Sequence, residues 1–166
     1  MSITRATANA AFIAWLSLSF YILLKTIESL ITKSFTEFIT ITSFATRYVN
    51  YIQILINMLN KSQFLISSKV MLMSITLILA CILISFSSET LSEVFLQAVI
   101  YNAIFIAISI YNDMSMFVSS FSNFNEIIRY ATKIFLEKYL STLVFGVIII
   151  LLISIVLRFL LLRGGT

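Results

Sequence analysis

Glu93 heads a long uncharged run, with Gln97, Tyr101 and Asn112 following it inside or at the end of that run. At about 100° per residue these four fall at about 0°, 40°, 80° and 100° on a helical wheel, within one arc. A carboxylate continued by an amide and a phenol is what a proton path or a buried polar contact inside a membrane needs. The plainer role for Glu93 is electrostatic, since an acidic side chain at a helix start is favoured by the helix dipole. Both readings put Glu93 at the head of a helix; the first makes Glu93, Gln97 and Tyr101 the candidate proton-path residues.

The other polar residues are sparse. Asp113 lies on the face opposite Glu93 and marks either a membrane exit or a pairing across helices; the exit is the expectation. Arg158 suits an anionic partner or a side chain snorkelling to headgroups. Glu137 and Lys138 precede an apolar run and belong at its interface. There is no His, so imidazole bases and His-ligated haem or zinc are excluded. The single Cys81 sits in an apolar stretch, where an inert buried thiol is expected and neither a disulfide nor a thiolate cluster can form. No catalytic residue, metal site or bound cofactor is expected on this chain.

These residues need helices to hold them, and the composition says where such helices lie. Of 166 residues, 60% are hydrophobic and 11% charged, with mean hydropathy +1.06. Soluble domains run about 45–50% apolar and about 25% charged, so the chain departs from them in the direction that favours lipid. The 28 Ile and 15 Phe against 3 Gly and no Pro also fit an AT-rich genome such as an organelle's. The net charge of +4 is small and dispersed, which gives no nucleic-acid footprint. Residues 6–24, 70–88, 94–112 and 139–157 form four uncharged windows. At about 1.5 Å per residue each window reaches about 28 Å, close to the hydrocarbon thickness of a bilayer. The expected fold is all-α: a polytopic helical membrane protein of three to five transmembrane helices with one amphipathic helix. The third window is expected to continue toward Ser120. The first has a basic start but no small-residue cleavage site, so it is expected to be retained as a helix.

Residues 36–60 supply the amphipathic helix. Thr42, Ser43, Thr46, Arg47, Asn50, Gln53, Asn57 and Asn60 share one face, while Phe44, Ala45, Tyr48, Tyr51, Ile52, Leu55 and Leu59 share the other. If this helix lies flat, eight Lys/Arg fall on one side of the membrane and three on the other, which the positive-inside rule favours over a span. Residues 121–138 are polar and mixed in sign, with a helical turn expected over 125–138. No internal repeat is present. Residues 1–68 read as an N-terminal helical extension and 69–166 as a three-helix transmembrane core.

The run Glu93-Val-Phe-Leu-Gln-Ala-Val-Ile-Tyr-Asn resembles the second helix of chain 4L of respiratory complex I, NADH:ubiquinone oxidoreductase. The Leu-Leu-Arg-Gly-Gly-Thr ending is similar to that family's basic tail. The stretch Gln97–Phe105, followed by Met114 and Met116, also resembles the third helix of chain 6 of the same complex, where a Tyr-Gly-Ala motif marks a helix that bulges; here Asn102 stands in place of that glycine. Either resemblance implies a membrane-arm subunit of the mitochondrial inner membrane, contributing to coupled proton translocation. It implies partner membrane subunits and lipids. NADH, FMN, iron–sulfur clusters and ubiquinone would be handled by partner subunits, so the chain would not be catalytic alone. For the 4L reading, the helix-two carboxylate role carries over to Glu93. The competing expectations are a packing subunit of another respiratory complex or of ATP synthase, and a small stand-alone membrane protein. The absence of a GxxxG association motif counts against the last.

Overall fold

The computed structural model describes residues 3–32, 39–61, 67–115 and 123–163. The continuation of the third window past Ser115, the first residues of the amphipathic segment, Lys33 and the glycine tail lie outside these, as do the side chains of Asn60, Lys61 and residues 161–163. Each uncharged window becomes part of a helix: α1 (Ile3–Thr32), α3 (Ser68–Ser87), α4 (Leu91–Ser115) and α6 (Leu140–Arg163), with α2 (Ile41–Lys61) and α5 (Phe124–Ile134) between them. These four, the last continuous with α5, are long and apolar enough to cross a membrane. No strand occurs among the described residues.

The helices outrun the windows because charges at their ends are satisfied locally. In α1, Lys25 Nζ meets Glu28 Oε2 at 2.5 Å, one turn apart, so the helix continues to Thr32. The α1 hydroxyls fold back in the same way. Thr7, Ser17, Ser19, Thr26 and Thr32 each donate to the carbonyl four residues earlier, at 2.8–3.1 Å. Ser67 caps α3 by accepting from Val70 N at 3.3 Å, and Asn123 caps α5 by accepting from Glu126 N at 3.0 Å. At the far end of α3, Arg158 donates through Nη2 to the Ser88 carbonyl, supplying a donor where the ladder runs out.

Between α5 and α6 the backbone does not break. Phe135–Tyr139 forms a π-helical turn, so the helical turn expected at 125–138 becomes α5, the π turn and the start of a membrane helix in one continuous rod. A π turn accommodates one extra residue and rotates the helix beyond it.

α4 is the hub. It packs against α1, α2 and α6, while α3 bridges α1 and α6. α2 turns Phe44, Ala45, Tyr48, Val49, Tyr51 and Ile52 inward and leaves Asn50 and Asn57 exposed, with Leu59 at the helix end 68% exposed. At the centre Tyr21, Phe44, Tyr48, Tyr101 and Phe105 stack edge-on or tilted, with ring centroids 4.9–5.7 Å apart. Each such pair contributes about 0.5–1.5 kcal/mol beyond its contact area. In lipid this packing matters more than hydrophobicity, because tails are as apolar as the side chains they would replace. One apolar cluster holds Ile13 and Tyr21 of α1, Phe44 and Ile52 of α2, Leu77 and Ile84 of α3, Phe105 of α4 and Ile150 of α6. The segment 1–68 that the sequence sets apart thus contributes α1 and α2 to the same core. Phe12, Trp15, Phe95, Val144, Ile148 and Leu152 face outward around the bundle, as a lipid-facing perimeter requires.

Candidate functional site: the polar ridge of α4

α4 buries Gln97, Tyr101, Asn102 and Ser109 completely or nearly so, and carries Glu93 and Asp113 half-buried at its two ends. Gln97, Tyr101, Phe105, Ser109 and Asp113 follow one another at i+4, the ridge that drifts about 40° around the helix at each step. Glu93 and Asp113 therefore sit at opposite margins of the buried stripe.

Glu93 stands in the first turn of α4. Its Oε2 accepts from the Glu89 backbone N–H at 2.6 Å, and its own N–H is accepted by Thr90 Oγ1 at 3.3 Å. This is close to a capping box, with the reciprocal bond made one residue earlier than usual. Arg5 lies near this turn, its Nη2 3.8 Å from Glu89 Oε1. Four residues inward, Gln97 Oε1 accepts from Ser87 Oγ at 2.7 Å, while its Nε2 is buried without an acceptor among the described residues. Tyr101 donates to Ser17 Oγ of α1 at 3.2 Å, and Ser17 donates on to Ile13 O at 2.8 Å. Gln97 and Tyr101 thus face protein on the α1 and α3 side. Asn112, placed on the same arc, is half-buried near the other end of α4, and its carbonyl accepts from Ser115 Oγ.

The most constrained group is Asn102. Its Oδ1 accepts from Tyr48 OH of α2 at 2.7 Å, and its Nδ2 donates to Ala98 O at 2.8 Å. Gly146 of α6 backs directly onto the amide: a Cβ there would lie 3.0 Å from Cγ and closer still to Oδ1. Only a glycine lets α6 come this near a side chain whose polar atoms are already tied. Phe105 then interrupts the ridge as an apolar plug, and beyond it Ser109 Oγ is buried with no partner among the described residues.

At the far end Asp113 Oδ2 accepts from Lys138 Nζ and from Tyr139 OH, both at 2.7 Å. Asp113 therefore pairs across helices and does more than mark a membrane exit. The π turn brings both partners to it. It also leaves the Lys138 carbonyl open to Gln53 Nε2 of α2 and to Thr142 Oγ1, each at 3.4 Å. Glu137 and Lys138 lie in the π turn itself.

Each end of the ridge is hydrogen-bonded to a neighbouring segment, and its middle carries hydroxyls and amides buried in the bundle. Among the described residues no three of His, Cys, Asp and Glu gather as a metal site. Cys81 is fully buried beside a crossing where Ser154 Oγ donates to its carbonyl and Ser85 Oγ donates to the Ser154 carbonyl. Asn102 and Ser109 fall outside the arc that starts at Glu93, and Ser17 and Tyr48 reach the ridge from α1 and α2. The sequence signal for Asn102 and Ser109 is the i+4 series from Ala98 and Gln97, which drifts out of a fixed arc. Comparison with known proteins found no family model, no curated protein and no solved structure that matches the chain.

Proposed function

We propose that this integral membrane protein is a membrane-arm subunit of respiratory complex I in the mitochondrial inner membrane, and that α4 lends its polar ridge to coupled proton transfer during NADH:ubiquinone oxidoreduction. The observation that carries the reading is the buried series Gln97, Tyr101, Asn102 and Ser109 between carboxylates at the two ends of one helix. Buried polar groups in a membrane helix are costly and mark ion or proton routes. Redox chemistry stays on partner subunits that hold the flavin, iron–sulfur clusters and quinone. The packing of α1 and α2 into the core supports a chain resembling chain 6 more than chain 4L, whose three helices would leave them as an appendage.

Tyr101→Phe tests the ridge. Ser17 keeps its bond to Ile13 O, so the variant should fold and assemble. Proton translocation per NADH oxidised should fall while the complex still migrates intact with NADH oxidation activity on a native gel. A chain that never co-migrates with that activity removes the host complex from the reading; normal pumping by Tyr101→Phe removes the ridge.

A second reading is favoured by Glu93 itself. Its carboxylate is engaged by backbone at a helix start, which is a structural task. On that reading the chain packs helices in another respiratory complex or in ATP synthase, and Glu93→Gln leaves every coupled activity unchanged.

A further inference from the structure

The end of the bundle where α3 begins holds a cavity of about 300 Å³ between α1, α2 and α3. Its walls carry Arg47 and Asn50 from the polar face of α2, Lys69 and Ser67 from the start of α3, and the hydroxyl-bearing Tyr21 and Tyr51. Tyr21 OH accepts from Arg47 Nη1 at 3.2 Å, which ties the guanidinium to the α1 wall of the cavity. Tyr51 OH lies 2.8 Å from Ser74 Oγ, so that ring is fixed as well. Ile54, Val70 and Met73 complete the wall, so the cavity carries both polar and apolar surface.

We propose that this cavity seats the phosphate headgroup of an anionic phospholipid, with Arg47 and Lys69 as its cationic ligands and Asn50 as a hydrogen-bond donor. Three features argue for a phosphate carried by a lipid. A guanidinium and an ammonium on separate helices match the charge and oxygen count of a phosphate. At the cavity's end of the bundle the described Lys25, Arg47, Lys69, Arg129, Lys133 and Lys138 outnumber Glu28, Asp113, Glu126 and Glu137, with Lys25 and Lys138 paired to Glu28 and Asp113, whereas Arg5 and Arg158 at the opposite end are balanced by Glu89 and Glu93. Basic pockets between membrane helices at such an end are suited to anionic headgroups. Finally, the amphipathic α2 carries Arg47 and Asn50 toward the level at which headgroups lie, and the side chains of Ile54, Val70 and Met73 offer apolar surface to the start of an acyl chain.

The full-length protein in phosphatidylcholine nanodiscs doped with phosphatidylglycerol provides the test, with retained lipid read by native mass spectrometry. The wild type should keep phosphatidylglycerol in preference to phosphatidylcholine. One cationic ligand to a headgroup phosphate is taken at the scale of a basic group at an anionic surface, so Lys69→Gln should lose about fivefold and Arg47→Gln/Lys69→Gln about twenty-five-fold. Lys69 is exposed, so the single variant reads binding without disturbing the core. Lys133→Gln, on the exposed α5, should change nothing. Equal retention by Lys69→Gln and wild type, or equal loss in Lys133→Gln, overturns the site. Displacement of the lipid by inorganic phosphate alone overturns the lipid as its source.

Discussion

The tie between Asn102 and Gly146 sets what each side chain at the centre of the bundle can tolerate. Gly146→Ala adds a methyl group where the Asn102 amide already stands. Alanine would ordinarily gain about 1 kcal/mol over glycine in a helix. Here the amide is fully buried and held by Tyr48 and Ala98, so it cannot swing aside without losing a bond. Overpacking costs about 1–3 kcal/mol and a stranded buried acceptor about as much again, so the loss wins. Gly146→Ala should lower the melting temperature in detergent, and Gly146→Ala/Asn102→Ala should recover part of the loss. Glu93 is a milder case. Glu93→Ala removes the acceptor for the Glu89 N–H and should cost about 0.5–2 kcal/mol, whereas Glu93→Gln keeps an acceptor and should cost less. Denaturation curves of the two variants that coincide would sink the capping role. Asn102 stands inside the very run that carries the family resemblance, yet its role was illegible there. An Asn in an apolar run shows that a polar partner is needed, but the partners Tyr48 and Gly146 lie on distant segments.

Helices were the legible level, because lipid demands uncharged length and the sequence shows it openly. The two faces of α2 were equally legible, since a polar residue every three or four positions has one explanation on a helix. Introduced cysteines provide the check. Asn50→Cys and Asn57→Cys should react with a membrane-impermeant maleimide and Ile52→Cys should not; native Cys81 is buried and gives little background. Uniform labelling along α2 would refute the inward face. The π turn had no such signal. Phe-Leu-Glu-Lys-Tyr is ordinary helical sequence, and its widening belongs with Lys138 and Tyr139 both reaching Asp113. The lysine pair is too exposed to contribute more than about 1 kcal/mol, so the tyrosine bond is the firmer anchor. Because a π turn holds one surplus residue, deleting Leu136 should be absorbed by a return to α-helix, keeping Lys138 and Tyr139 in register with α6. Deleting Leu140 should rotate both away from Asp113. The two deletions should differ clearly in thermal stability; equal losses would remove the π turn as the reason.

For the whole molecule, α1 and α4 run one way through the bundle and α3 and α6 the other. Arg5 meets Glu89 and Arg158 meets Ser88, so both ends of the described chain gather at the turn before α4. Cysteines at Ser92 and at Asn125 should therefore label from opposite sides of sealed vesicles; same-side labelling would overturn the four-span topology. The charge count agrees with this arrangement provided α2 does not span, since it then puts eight basic residues on one side and three on the other. What charge could not supply is the order in which the parts become stable. The α1 hydroxyls close on their own carbonyls and its Lys25–Glu28 pair closes on itself. In biogenesis α1 can thus leave the translocon and rest in lipid with these groups already satisfied. α2 has no such independence: Phe44 and Tyr48 find Phe105, Tyr101 and Asn102 only once α4 has been made. A nascent chain stalled before α4 would hold an anchored first helix and an unhoused second one, and that exposed face is what a membrane chaperone or quality-control protease would meet.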